Sequence, residues 1–272
     1  GHRALTLPVM AYLYGIHPSP VWLSIIMITF VTLGSIAAGG LGKHVLKDNW
    51  GWPLGVLIYL GCPATMALAL QDYQDLIFAL PALIFCCWMM TTNKWYLIIL
   101  GICIGIMPRE ECVPMVIGIA AIMIPFRKGL KPNWKPWLRN IGFAGIIALS
   151  YASWVESAYP IATSGHDMPL ENALRSLSHQ QIFLEGWLYK TRFYALVWIP
   201  LGSVAILSPI VAAPAIALSL LHMTVPEGHG VDRSWSGHCH HMAPAVSFAL
   251  AATTMGAARL INILKKWNKT RI

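Results

Sequence analysis

Long apolar stretches that carry almost no charge recur along the whole chain, and they constrain the fold more than any other feature. They cover residues 21–41, 52–70, 76–90, 95–107, 113–126, 141–157, 193–207, 209–223 and 242–263. A helix needs about 20 apolar residues to cross about 30 Å of hydrocarbon. We therefore predict an all-α, polytopic membrane helix bundle with about nine transmembrane segments, forming a single membrane domain over residues 1–272.

Composition excludes the soluble alternatives. Apolar residues make up 57% of the 272 residues, and Asp, Glu, Lys and Arg only 11%. A typical soluble domain has about 25% charged residues, so this chain has too few to cover a soluble surface. The same numbers exclude a disordered chain, a collagen and a disulfide scaffold.

The charges divide unequally between the two sides of the predicted bundle. Alternating spans place residues 42–51, 91–94, 127–140 and the tail after residue 263 on one side. With Arg259, this side holds 13 of the 19 basic residues and one acid, Asp48, while the other side holds 6 basic residues and 10 acids. The positive-inside rule places the basic side, with the C-terminus, in the cytoplasm. The net charge of +8 is thus an orientation signal beside anionic membrane lipids, and no nucleic-acid partner is expected.

Three outer segments follow from this topology. Residues 1–20 lie outside, and because residues 4–16 are too short to span, we expect an interfacial segment there. The chain starts at Gly1 without an initiating Met, so we expect an upstream segment. Residues 158–192 form an outer loop with an amphipathic surface helix that includes Leu170, Leu174 and Leu177, and residues 224–241 form an outer His-rich loop.

Two acidic clusters on the outer side are candidate sites. Arg109-Glu110-Glu111 follows Pro108 between two short apolar stretches, which form either thin spans or a re-entrant hairpin. These side chains could bind a cation, act as a base or hold a phosphate through the Arg, or they could simply cap a helix start. Asp72 and Asp75 have helical i, i+3 spacing, which suits a divalent metal or a bound hydroxyl as well as a solvated loop.

The His-rich loop is a weaker candidate for a metal site. Its candidate ligands are His229, His238 and His240, with His241, Cys239, Asp232 and Glu227 nearby. Their spacing matches no structural zinc pattern, so the loop could instead contact a phosphate or a sugar, or cap the last span. Cys112 and Cys239 could form a disulfide if the two outer loops meet.

Four short motifs resemble an uncharacterised family of prokaryotic polytopic proteins, domain-of-unknown-function family 2079, which is related to GT-C glycosyltransferases. They lie at residues 13–20, 69–75, 107–111 and 240–244. The third resembles a basic–acidic–acidic motif that opens a short helix. The fourth resembles a His-Tyr-x-x-Pro entry to the last span, with His241 where Tyr is usual.

The resemblance implies a GT-C-like fold in a prokaryotic inner membrane and transfer of a sugar from a polyprenyl-phosphate carrier at the outer face. Asp72 and Glu110 or Glu111 would then orient or deprotonate the acceptor. The carrier phosphate would be held by a set of basic side chains. These are Arg109, Arg175, Arg233, His240 and His241.

One departure from the GT-C pattern favours a different function. These transferases usually keep a catalytic acid in the outer loop after their first span, but no Asp or Glu precedes Asp48 here. The alternative is a non-catalytic scaffold subunit that keeps the family fold and packs against other membrane subunits.

Overall fold

The computed structural model describes residues 5–69, 75–92, 94–110, 112–123, 133–158, 198–199, 201, 204–223 and 243–269. These residues form helices joined by short turns, and no strand occurs among them. The all-α class is therefore confirmed for the described chain. The helices are α1 (Thr6–Ile16), α2 (Pro20–Leu46), α3 (Gly51–Leu60), α4 (Pro63–Ala69), α5 (Ala79–Met90), α6 (Trp95–Ile106), α7 (Cys112–Ile122), α8 (Trp134–Ala158), α9 (Pro209–Met223) and α10 (Ala243–Lys269).

Helix length separates clear membrane spans from shorter apolar helices. Within the described residues, α2 and the segment Ala243–Trp267 of α10 are long and apolar enough to cross a membrane. The pair α3 and α4 meets the same test only together, and it bends by 61° at its break. Helices α5 and α6 have 12 residues each, or about 18 Å, which is less than the hydrocarbon thickness. The described helices thus support two spans, or three with the bent pair, and the count of nine stays a prediction.

Helices α2 and α3 form a hairpin whose backbones touch. A Cβ atom on Gly42 would overlap the carbonyl oxygen of Gly51, and one on Gly55 would overlap the carbonyl oxygen of Ala38. Small residues at a helix contact allow this approach, and in membranes close packing replaces the hydrophobic drive between helices. The absence of side chains at Gly42, Gly51 and Gly55 is therefore what sets the distance between α2 and α3.

Helix α10 is the buried axis of the described bundle. Every residue from 243 to 254 is buried, and the helix packs against α2, α5 and α9. Two hydroxyl groups of α10 donate hydrogen bonds to the backbone of neighbouring segments. Ser247 Oγ donates to the Leu80 carbonyl at 3.4 Å, and Thr253 Oγ1 donates to the Leu201 carbonyl at 3.0 Å. A helix buried on all sides needs small apolar residues and polar groups that are satisfied internally, and α10 has both.

Several connections meet at one end of the bundle. Lys265 Nζ lies 2.8 Å from Asp48 Oδ2, which joins the end of α10 to the α2–α3 connection. Trp88, near the end of α5, packs against Gly40 of α2 at the same end. We name this the basic end. Alternating spans predict the same grouping of loops 42–51 and 91–94 with the C-terminal tail, whereas the assignment of this end to the cytoplasm stays a prediction.

The glycine contact generates a stability prediction. Replacing Gly42 with Ala should lower the free energy of unfolding by about 1–3 kcal/mol, because the new methyl group must push α3 away from α2. Thermal unfolding of the detergent-purified variant measures the loss.

Gly118 in α7 is the matched control for this helix substitution. A Cβ atom there meets no atom within 4 Å, so Gly118→Ala should leave stability unchanged or raise it by about 0.5–1 kcal/mol. Equal melting temperatures for the Gly42 and Gly118 variants would contradict the proposed contact.

The topology generates a second prediction. In intact spheroplasts, a membrane-impermeant maleimide should label Cys239 in the predicted outer loop. A Lys131→Cys variant in a Cys239→Ser background should be labelled only after the membrane is permeabilised. The reverse pattern would invert the predicted orientation.

Candidate functional site

The turn between α6 and α7 carries Arg109 and Glu110, two of the predicted site residues that lie in the described part of the chain. Asp75 is also described and begins a short 3-10 helix, Asp75–Phe78, while its predicted partner Asp72 lies outside the described residues. The amide of Cys112 donates to the Arg109 carbonyl at 2.9 Å, and the amide of Val113 donates to the Glu110 carbonyl at 3.1 Å. The motif therefore opens α7 through its backbone, as the resemblance implies. We name residues 108–110 the Arg109 turn.

The Arg109 side chain is deeply buried. Only 1% of its surface is exposed, and among the described residues it is one of the largest fully buried side chains. Glu110 is half-buried. A charged residue that only caps a helix start would be expected to keep its charge in water. A buried guanidinium must instead be offset by anions or other acceptors. The burial thus favours a specific role for the Arg109 charge over simple capping.

Helix α1 is fixed against this turn at its start. The amide of Thr6 donates to the Met107 carbonyl at 3.3 Å, and Thr6 Oγ1 donates to the Pro108 carbonyl at 3.5 Å. The predicted interfacial segment thus includes a helix of 11 residues. The start of this helix therefore packs against the Arg109 turn.

The other end of α1 is fixed by the start of α2. Ser19 Oγ accepts a hydrogen bond from the Trp22 amide at 3.1 Å, as an N-cap residue does. The indole Nε1 of Trp22 donates to the Leu13 carbonyl at 2.8 Å, and its ring meets His17 edge-on. Hydrogen bonds near both ends hold α1 in place, so α1 is a fixed neighbour of the Arg109 turn.

The other site predictions fall outside the described residues. They are Asp72, Glu111, Arg175, Arg233, His229, His238, His240 and His241, together with the surface helix of 158–192 and the Cys239 partner of the proposed disulfide. The described residues contain no group of three or more His, Cys, Asp or Glu side chains that could hold a metal. The predicted outer metal site therefore stays a prediction.

A second feature lies at the basic end, away from the Arg109 turn. It is an open groove of about 830 Å³, which we name the basic groove. One face of α2 lines it through residues spaced three or four apart, and the indoles of α3 and α5 form the walls. The lining residues are Ile36, Gly40, Lys43, His44, Lys47, Asp48, Asn49, Trp52 and Trp88.

Glycines of α2 shape the walls of the basic groove. A Cβ atom on Gly39 would lie 2.8 Å from Nε1 of Trp52, and one on Gly40 would overlap the Trp88 ring. Both indoles therefore lie directly against the α2 backbone. The groove was not predicted from the sequence, because Lys43 and Lys47 were interpreted as orientation signals alone. Their i, i+4 spacing, one turn after two glycines, was the available signal.

Lys47 has an unusual backbone conformation. It ends α2 with φ 56° and ψ 31°, and it is the sole non-glycine residue with positive φ in the described part of the chain. Glycine usually occupies this C-terminal position, because a side chain there costs about 1 kcal/mol. Lys47 thus occupies a position whose backbone conformation favours glycine.

The described chain is a bundle of apolar helices, and some of these are long enough to span a bilayer. The protein is therefore a helical integral membrane protein. Residues 1–272 match the family described as Predicted membrane protein (DUF2079), so the chain belongs to that family. This confirms the resemblance to the family seen in the sequence. No curated protein and no solved structure matches the chain.

The ion pair beside the groove generates a pH prediction. Hydrogen bonds from the Lys265 side chain and the Trp50 amide lower the pKa of Asp48 below its usual range. A carboxylate whose pKa is lowered on folding stabilises the fold above its unfolded pKa, and that stabilisation is lost as the pH falls through the folded pKa.

An Asp48→Asn variant should therefore melt below the wild type at neutral pH. The two proteins should melt together once the pH falls below the pKa of folded Asp48, because a protonated carboxyl resembles an amide. Thermal unfolding in detergent at both pH values measures the difference, which should also shrink in high salt. A difference that persists unchanged at low pH would exclude the ion pair as its cause.

Proposed function

We propose that the Arg109 turn binds the phosphate of a polyprenyl-phosphate-linked sugar at the outer membrane boundary, and that the protein transfers this sugar to an acceptor. The observation that carries the proposal is the burial of Arg109 within an apolar helix bundle. Ionisable residues within membrane proteins are costly and mark functional sites by default.

A phosphate suits this environment for two physical reasons. The guanidinium is planar and always charged, and it meets phosphate oxygens through two parallel hydrogen bonds. Such charge-assisted bonds gain strength where water is excluded. The turn also lies at the end of the apolar helix α6. A carrier whose long apolar chain lies in the membrane beside that helix would have its phosphate at this level. The basic side chains of Arg175, Arg233, His240 and His241 would extend this anion site if the outer loops close over the turn.

Acidic residues of the predicted outer side supply the chemistry in this proposal. A carboxylate of Glu110, Glu111 or Asp72 takes the proton from the acceptor hydroxyl. The acceptor oxygen then forms a bond with the anomeric carbon of the sugar. The bond from that carbon to the carrier phosphate oxygen breaks, and the phosphate leaves with the electron pair. Glu110 is half-buried next to the buried Arg109, so it is the first choice among the three.

The proposed architecture is a GT-C-like bundle of about nine spans with its outer loops above the Arg109 turn. Support comes from the short family motifs, the family membership of the whole chain and the all-helical fold. The short helices α5, α6 and α7 would cross the bilayer with the adjoining turns, or reach only part of the way.

A transfer assay tests this function. Full-length protein in nanodiscs, given radiolabelled polyprenyl-phosphate hexose or pentose donors, should release sugar from the carrier. Glu110→Gln should lower turnover by about 100-fold or more if Glu110 is the base. Arg109→Gln should mainly weaken donor binding, by about tenfold or more, because a charge-assisted contact is lost. Arg139→Gln on α8 is the matched control and should behave as wild type.

The alternative function predicts a different outcome. A stable protein that turns over none of these donors and co-purifies with other membrane polypeptides would refute the transferase and support the scaffold subunit. Melting temperatures of the Arg109 and Glu110 variants distinguish lost chemistry from lost folding.

A further inference from the structure

The basic groove combines a charged end and an apolar end on one helix face. Lys43, His44 and Lys47 lie in and just after the last turn of α2. Ile36 lies 11 residues before Lys47, or about 16 Å along the helix axis, toward the middle of the span. The groove thus changes along the axis of α2 from charged to apolar, in the order in which a phospholipid changes from phosphate to acyl chain.

The electrostatic balance of the groove is positive. Among the described residues that line it, Asp48 is the only acid, and its carboxylate already pairs with Lys265 from α10. Lys43 and Lys47 are both exposed to the groove opening. Both side chains line the groove, so both ammonium groups are available to one anion held there.

The backbone of Lys47 gives an independent argument. If this residue only ended the helix, glycine would do so without strain. If it only marked the cytoplasmic side, a lysine one or two residues later would serve equally well. The left-handed residue instead ends α2 with its side chain bordering the groove, together with Lys43 and Asn49.

We infer that the basic groove is a binding site for the phosphate of an anionic membrane phospholipid, with the acyl chain lying along Ile36, Gly40 and the indoles of Trp52 and Trp88. The indoles suit the membrane boundary, since an aromatic ring packs on the acyl chain near the headgroup. This site is at the opposite end of α6 from the Arg109 turn and is independent of the proposed transferase function.

Native mass spectrometry of the full chain in detergent tests the inference, with phosphatidylglycerol as the probe. Wild-type protein should bind phosphatidylglycerol about tenfold more tightly than zwitterionic phosphatidylcholine. Lys43→Gln and Lys47→Gly should each weaken phosphatidylglycerol binding about tenfold, because each removes one charge-assisted contact. Lys135→Gln, an exposed lysine of α8 outside the groove, is the matched control and should bind as wild type.

The Lys47→Gly variant separates binding from folding. Its melting temperature without lipid should equal or exceed that of the wild type, because glycine relieves the strained backbone. A loss of lipid from a protein that is no less stable therefore reports on the lysine side chain. Unchanged lipid binding in both groove variants, or an equal loss in Lys135→Gln, would overturn the inference.

A competition arm identifies the source of the phosphate. Inorganic phosphate in large excess should displace little phosphatidylglycerol, since it lacks the acyl chain that the apolar end contacts. Displacement by inorganic phosphate as effective as that by phosphatidylglycerol itself would overturn the lipid assignment. Because the readout is bound lipid, failure here leaves the transfer assay unaffected, and failure of the transfer assay leaves this result intact.

Discussion

The backbone contact between α2 and α3 is the interaction on which the described structure depends most. Gly42, Gly51 and Gly55 bring two helices together without side chains between them. Because the two helices lie so close, Trp52 packs against α2. Trp52 and the basic last turn of α2 then line the basic groove together. In a bilayer, where lipid and side chain are equally apolar, such packing decides which helices associate.

The rest of the bundle organises the two ends around a buried axis. Helix α10 is enclosed from residue 243 to residue 254 and emerges only toward its C-terminal end, where Lys265 reaches Asp48. Its opposite end begins two residues after His241, on the side predicted to hold the acids and histidines. One helix therefore connects the end proposed for sugar transfer with the end proposed for lipid binding.

Local patterns predicted some of these features well. Apolar stretches with few charges predicted helices because a long apolar segment in a bilayer has to satisfy its backbone internally. Arg109 and Glu110 stood out because charges are rare between two apolar segments. The basic groove was not predictable in the same way, since Lys43 and Lys47 look like any basic residues at the inner end of a span. They line a groove because the indoles of Trp52 and Trp88, from two other helices, pack against α2 beside them.

The sequence by itself determined the helical class, the grouping of loops by charge and the family, because each rests on local composition or on short motifs. The tertiary structure decided that Arg109 is buried, that α3 and α4 break a single apolar stretch by 61°, and that Lys47 ends α2 in a left-handed conformation. Gly61 and Pro63 end α3 and begin α4 locally, but only the tertiary structure gives the angle between the two helices. The burial of Arg109 depends on segments far apart in the chain, among them the start of α1, and the residues nearby in sequence do not specify those partners.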